Sequence, residues 1–177
     1  MEFKIVFTGP PGAGKTTAIA AISDVAPVNT DVANHDPSLN KAQTTVGLDF
    51  GVLALGEGDQ VRLFGTPGQS RFEFMWRILA RDALGLVLLL DNSRPDPVQD
   101  LLEVLDGLGD ALDGVACAVG VGRTETHPSP ALDVFMDELQ RRGRVYPVMA
   151  VDVRQREDVL LLLDTVLAQA EASCWEA

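Results

Sequence analysis

Gly9-Pro10-Pro11-Gly12-Ala13-Gly14-Lys15-Thr16 decides the fold. Before it, Phe3 to Thr8 is an apolar, β-rich run; after it, Lys15 to about Ser23 has helical spacing. A glycine-rich turn between a strand and a helix, closing on Lys-Thr, has a mechanical reason behind each position. Gly9, Gly12 and Gly14, with Ala13 among them, let the backbone turn tightly and aim N–H groups inward. Lys15 supplies a mobile cation for outer phosphates, and the helix N-terminus adds partial positive charge. Thr16 offers a hydroxyl to Mg²⁺, and Thr17 follows it in the first helical turn. Average residue usage puts an accidental match in a chain of 177 residues at about one in a hundred. A polyphosphate cradle is therefore expected, with the base, the reaction and the output still open.

Outward from the loop, short β-rich runs alternate with amphipathic segments, which predicts a mostly parallel sheet covered by helices. Residues 24 to 45 are polar and aperiodic, so they read as a long functional loop with a short strand near Val28. Val46 to Leu55 and Gln60 to Phe64 flank Gly56-Glu57-Gly58-Asp59, a hairpin signal. Ser70 to Asp82 has helical spacing. Leu84 to Leu90 is nearly all apolar and ends at Asp91, as suits a central strand buried on both faces. Asp96-Pro97 opens a helix that places Leu101, Leu105, Leu108 and Leu112 on one side. Val115 to Val121 is a further strand, Pro130 to Arg142 a helix, Val145 to Val151 a last strand and Glu157 to Ala170 the closing helix. About six strands and five helices result, in one domain spanning 1–177.

Net charge is −12, from 26 acidic and 14 basic residues, which argues against nucleic acid or an anionic membrane as main partner. Cations for a polyphosphate must then be placed locally. Neither Cys117 nor Cys174 sits in a zinc or disulfide pattern, and a cytoplasmic protein is expected. Met1-Glu2-Phe3-Lys4 lacks the layout of a signal peptide, and no apolar run approaches the ~20 residues of a membrane span. The last four residues formally match a prenylation box, but Trp175 and Glu176 suit its aliphatic positions poorly.

Phe64-Gly65-Thr66-Pro67-Gly68-Gln69-Ser70-Arg71-Phe72 narrows the reading. With it the chain resembles the Ras-like small GTPases, closest to a bacterial group that works with roadblock-type partners in gliding and signalling operons. The resemblance implies a small G-protein-like, three-layer P-loop NTPase fold. It implies that Gly68 contacts the γ-phosphate of GTP and that Gln69 orients the attacking water, with Lys15 stabilising the reacting phosphates. A glutamine both donates to and accepts from water, which suits positioning. Where the family carries an Asp that holds Mg²⁺, this chain has Gly65; Asp49 is the candidate substitute, with Asp91 second. Thr44-Thr45-Val46-Gly47 resembles a first switch, in which Thr45 reaches Mg²⁺ and the γ-phosphate; a register shift to Thr44 stays open. Arg71, of the arginines at 71, 77 and 81, lies nearest Gln69 as an intrinsic arginine finger. Phe72, Phe74 and Trp76 cannot all lie on one narrow helical stripe, so a partner surface and a fully tucked helix are both open.

The family reads guanine after its fifth strand. Here Gly122-Arg123-Thr124-Glu125 stands at that place, with Arg123 to stack on the base and Glu125 to accept from its N–H groups. Gly122 removes an amide side chain. Val153, in Asp152-Val153-Arg154, falls in the last base-contacting loop. The resemblance thus implies a GTP/GDP switch with Mg²⁺, hydrolysing GTP slowly unless a roadblock/LC7-type protein assists. Two alternatives stand beside it: a nucleotide-binding pseudo-GTPase, and an ATP-using P-loop kinase, which predicts an arginine-rich lid that the sequence lacks.

Overall fold

A computed structural model describes residues 1–26, 28, 31–33, 43–45 and 48–175, with backbone alone for 31–33, 43–45 and 174–175. The N-terminal half runs β1 (Glu2–Thr8), α1 (Lys15–Ile22), β2 (Asp31–Ala33), β3 (Gln43–Thr45), β4 (Asp49–Gly56), β5 (Asp59–Gly65) and α2 (Glu73–Ala80). The C-terminal half runs β6 (Gly85–Asp91), α3 (Pro97–Leu108), β7 (Ala116–Gly122), α4 (Leu132–Arg141), β8 (Val148–Ala150) and α5 (Arg156–Trp175). Six strands form one sheet in the order β4-β5-β1-β6-β7-β8. Only the β4–β5 hairpin is antiparallel; the other pairs run parallel.

Side-chain alternation divides the core between the two faces of this sheet. Ile5, Phe7, Val87 and Leu89 point to the face covered by α1 and α5, where Ile19, Ile22, Val159, Leu162 and Val166 meet them. Val6, Leu86, Leu88 and Leu90 point to the other face, against Trp76, Leu101, Leu105 and Phe135. Every residue of β6 is buried, as its continuous apolar run predicts for a strand covered on both sides. The result is a three-layer α/β fold with a mostly parallel six-stranded sheet and five α-helices among the described residues.

Several boundaries differ from the sequence expectation, each for a local reason. The long loop contains an antiparallel ribbon, β2 with β3, in which Asp31 pairs Thr45. Three-residue strands are too short to show a period. The strand expected near Val28 is a single bridge to Phe50. The helix expected from Ser70 opens with a 3₁₀ turn over Ser70–Phe72, and α-geometry begins at Glu73. The last strand shortens to Val148–Ala150, because Pro147 has no N–H to give a ladder. The closing helix instead runs on to Trp175. Val46, Gly47, Glu176 and Ala177 lie outside the described residues.

α3 shows how closely local chemistry sets an end. Asp96 accepts from the Gln99 N–H at 2.9 Å, with Pro97 in the first turn.

A core truncation next to the site tests the packing. Leu89→Ala, on the central strand, should lower unfolding free energy by about 2–5 kcal/mol in urea titration.

Candidate functional site

β1 lies between β5 and β6 while the chain turns in opposite directions on its two sides, so a crevice opens at the carboxyl ends of the parallel strands. A cleft of about 1200 Å³ occupies it. It is lined by Pro11 to Thr17, Gly68, the end of β6 with Ser93 to Pro95, Gly122 to Thr126, and Ala150 to Arg154. Glycine, lysine, threonine and the two loops of the base-reading expectation thus share one cavity.

The phosphate loop is held against the strand beside it. Gly9 has φ of 144°, and a Cβ there would overlap the Leu89 carbonyl of β6. At Gly14 (φ 94°) a Cβ would stand 2.7 Å from Cγ2 of Val153, so the last loop packs on the first. Lys15 is buried, and its Nζ donates to the carbonyls of Gly9 at 2.8 Å and Pro10 at 2.9 Å. Thr16 donates its hydroxyl proton to Oδ2 of Asp49 at 2.5 Å. Asp49, at the start of β4, is 1% exposed.

The Gly65 to Gln69 segment lies across this loop. Thr66 donates its N–H to the Phe7 carbonyl at 2.9 Å and its hydroxyl to Thr8 at 3.1 Å. A Cβ on Gly68 would stand 2.6 Å from the Pro11 nitrogen and 2.9 Å from Nζ of Lys15, so glycine is required for this approach. Gln69 directly follows Gly68 and is not among the residues that line the cleft. Its amide oxygen is buried with no hydrogen-bond partner among the described residues. Trp76 Nε1 donates to the Pro67 carbonyl at 2.7 Å and ties α2 to the segment.

α2 resolves the aromatic question in both directions at once. Trp76 is buried, whereas Phe74 and Ile78, one turn apart, are 61% and 63% exposed. Arg71 lies over the Phe72 ring at 4.8 Å, and Arg77 donates to the Gly107 carbonyl. Neither is among the residues that line the cavity. Thr45 falls in β3, and its side chain lies outside the described part of the structure.

After β6 come two residues that motif reading missed, Asn92 and Arg94, beside Asp91, which it named. Arg94 grips Asp100 through two N–H groups, at 2.5 and 3.0 Å, and reaches the Pro11 carbonyl at 3.3 Å. Asn92 donates to the His127 and Pro130 carbonyls and so anchors the loop that carries Arg123 and Glu125. Arg123, at φ of 60°, pairs with Asp91. Burial alone would raise the Asp91 carboxyl, but hydrogen bonds from Ser93 and Arg123 outweigh it and hold the carboxyl below its ordinary range. Arg154 likewise grips the half-buried Asp152 and holds its carboxyl down to about 2. The signal was present: Asn92 to Arg94 directly follow a buried parallel strand, at the carboxyl ends of the strands where ligands bind.

Fold and cleft together define the class: an α/β architecture consistent with the P-loop NTPase fold of small GTPases. No family model matches the chain. It is similar to Ras-related protein Rab-44 of Mus musculus, 30% identical over 118 residues, covering 64% of this chain and 11% of that protein. It is similar to GTP-binding protein ypt4 of Schizosaccharomyces pombe, 29% identical over 126 residues, 67% of this chain and 49% of that one. An uncharacterized protein of Methanocaldococcus jannaschii is 29% identical over 96 residues, 52% and 53% of the two chains. The matched stretches span about half the length of these relatives or less. Such likenesses support the Ras-like superfamily.

Two measurements probe this geometry. Gly9→Ala, forced against the Leu89 carbonyl, should displace the phosphate loop and lower the thermal midpoint. An NMR titration should place the Asp91 midpoint below the ordinary 3.8. A depressed carboxylate stabilises the fold above its unfolded pKa, and that contribution fades as pH falls through the folded value. Arg123→Ala should therefore raise the Asp91 midpoint and lower stability at neutral pH, with the difference shrinking in acid.

Proposed function

We propose that the chain is a guanine-nucleotide-binding switch of the Ras-like superfamily that hydrolyses GTP to GDP, slowly when alone. One observation carries the reading: a single cleft gathers Lys15 and Thr16, Gly68, and the loops of Arg123, Glu125 and Val153. Backbone N–H groups of Gly12, Ala13 and Gly14, with Lys15 and the N-terminus of α1, suit a polyphosphate. Glu125, exposed at the rim and close enough to Arg154 to act on its charge, suits the paired N–H groups of guanine. In this reading the Gly68 N–H would meet an outer phosphate, and its close approach to Lys15 and Pro11 supports that role. Single-domain organisation over 1–177 fits the two core layers sharing one sheet.

Mg²⁺ fits the donors present. Thr16 and Asp49 are hard oxygen ligands, and Mg²⁺ is normally held by a few such groups together with substrate phosphates. Thr16, and Thr45 by resemblance, would hold it, and it would neutralise charge on the outer phosphates. Gln69 must swing toward the cleft to position water, and the exposed Phe74 and Ile78 offer a regulator a surface from which to move it. A roadblock/LC7-type regulator, as in the bacterial gliding group, goes with this reading. So does a cytoplasmic, signalling role, which the buried free thiol of Cys117 supports.

A second reading, a nucleotide-binding module without turnover, draws on the buried amide oxygen of Gln69, which has no partner among the described residues, and on Gly65 and Gly122.

Competition against a fluorescent GDP analogue should show GTP and GDP displacing it and ATP failing to do so; selective binding of ATP would overturn the guanine assignment. Lys15→Ala should weaken nucleotide binding by about 10–100-fold. Multiple-turnover phosphate release, slow alone and faster with a regulator, checks hydrolysis. Release in neither case favours the second reading.

A further inference from the structure

β7 and β8 lie side by side and run parallel. The loops that leave their carboxyl ends therefore stand next to each other, and Gly122 to Thr126 and Asp152 to Arg154 line the same cleft. A Cβ on Gly122 would stand 3.4 Å from the Leu90 carbonyl oxygen and 3.7 Å from that of Val151, both ordinary contacts. A side chain would fit at 122, so glycine is not a steric requirement there. It leaves this part of the cleft to be read from the neighbouring loop, which begins beside it at Val151.

In that loop Arg154 is folded back on its own turn. Its Nε donates to Oδ1 of Asp152 at 2.9 Å and its Nη2 to Oδ2 at 2.7 Å. The Arg154 backbone N–H donates to the same Oδ1 at 3.0 Å. A guanidinium carries five N–H donors in one plane, and the carboxylate takes one from Nε and one from Nη2. The two on Nη1 and the second on Nη2 meet no acceptor among the described residues. The side chain is 77% exposed, yet the grip fixes the plane in which those donors lie. Arg154 and Glu125 both line the cleft, close enough for the charge of Glu125 to act on the guanidinium.

The chemistry of the two residues is complementary. Guanine presents two acceptors, O6 and N7, on one edge, which match the arginine fork; adenine has an amino group in place of O6 and would set donor against donor. Glu125 only accepts, which suits the N1 and N2 hydrogens of the other edge. We infer that Arg154 is a specificity-determining residue that donates to O6 and N7 of guanine, where Gly122 offers no side chain, with Asp152 holding the guanidinium in position. The inference rests on the nucleotide-binding reading above and names the edge of the base that this loop reads.

The test uses the whole chain, loaded with a GDP analogue whose fluorophore is on the ribose and displaced by GDP, inosine diphosphate or 7-deaza-GDP. The three competitors share ribose and diphosphate, so ratios between them report the base edges alone. 7-deaza-GDP has a C–H in place of N7, and inosine diphosphate lacks the 2-amino group. The unaltered protein should bind GDP about 10-fold more tightly than 7-deaza-GDP, the worth of one hydrogen bond to a charged donor. In Arg154→Ala that ratio should fall to about 1, while the preference for GDP over inosine diphosphate, which belongs to Glu125, persists. Loss of both preferences together means that Arg154 only supports the loop, and overturns the direct contact. An Arg154→Ala protein that keeps the first preference, or an unaltered protein that lacks it, also overturns the inference and leaves guanine binding standing. Failure of the unaltered protein to bind the analogue at all overturns both.

Discussion

No carbon can be added to Gly9, because the Leu89 carbonyl of the central strand already stands where it would go. The rest of the molecule is arranged around that contact between backbones. β6 must be rigid for the loop to rest on it, and its burial on both faces provides the rigidity. Two helical layers supply the burial, and their side chains alternate along β1 and β6 so that each strand serves both. The loop is thus fixed on one side by β6 and on another by Val153. Electrostatic binding of this kind depends on dipoles already in place.

Around that fixed loop the protein manages charge with care. It is strongly acidic overall, yet the cleft contains Lys15, Arg94, Arg123 and Arg154. Each arginine is gripped by its own aspartate: Asp100, Asp91 and Asp152. Such pairs add little stability when exposed. Their effect is on direction, since the two-point grips on Arg94 and Arg154 fix long side chains that would otherwise sample many rotamers. Arg94, tied to both Asp100 and the Pro11 carbonyl, connects the β6–α3 loop to the phosphate loop.

The fold was largely legible in the sequence, for reasons that can be named. Period and apolar runs report burial directly, so β6, α3 and the strand–loop–helix around Lys15 could be read from the residues. Ends set by a proline, as before β8, or by a 3₁₀ turn, as before α2, depend on a few atoms and leave no period to detect. The site was legible where a motif is contiguous. It was obscure where partners are distant in sequence: Asp91 with Arg123, Asn92 with His127, Arg94 with Pro11. Asp49 lies between these cases, because the missing acid at 65 prompted a search for a substitute, whereas strand register alone could reveal the geometry.

The bond from Trp76 to the Pro67 carbonyl has a mechanical consequence. A buried indole is a stiff arm, and this one joins a segment lying on the phosphate loop to a helix whose other face presents Phe74 and Ile78 to solvent. The two surfaces are opposite ends of one lever. Displacing the segment from Pro11 either breaks this bond or moves the helix, and a pull on the helix acts on the segment through the same bond. The work done is the same in either direction, so a protein docking on that face would sense the contents of the cleft as strongly as it alters them.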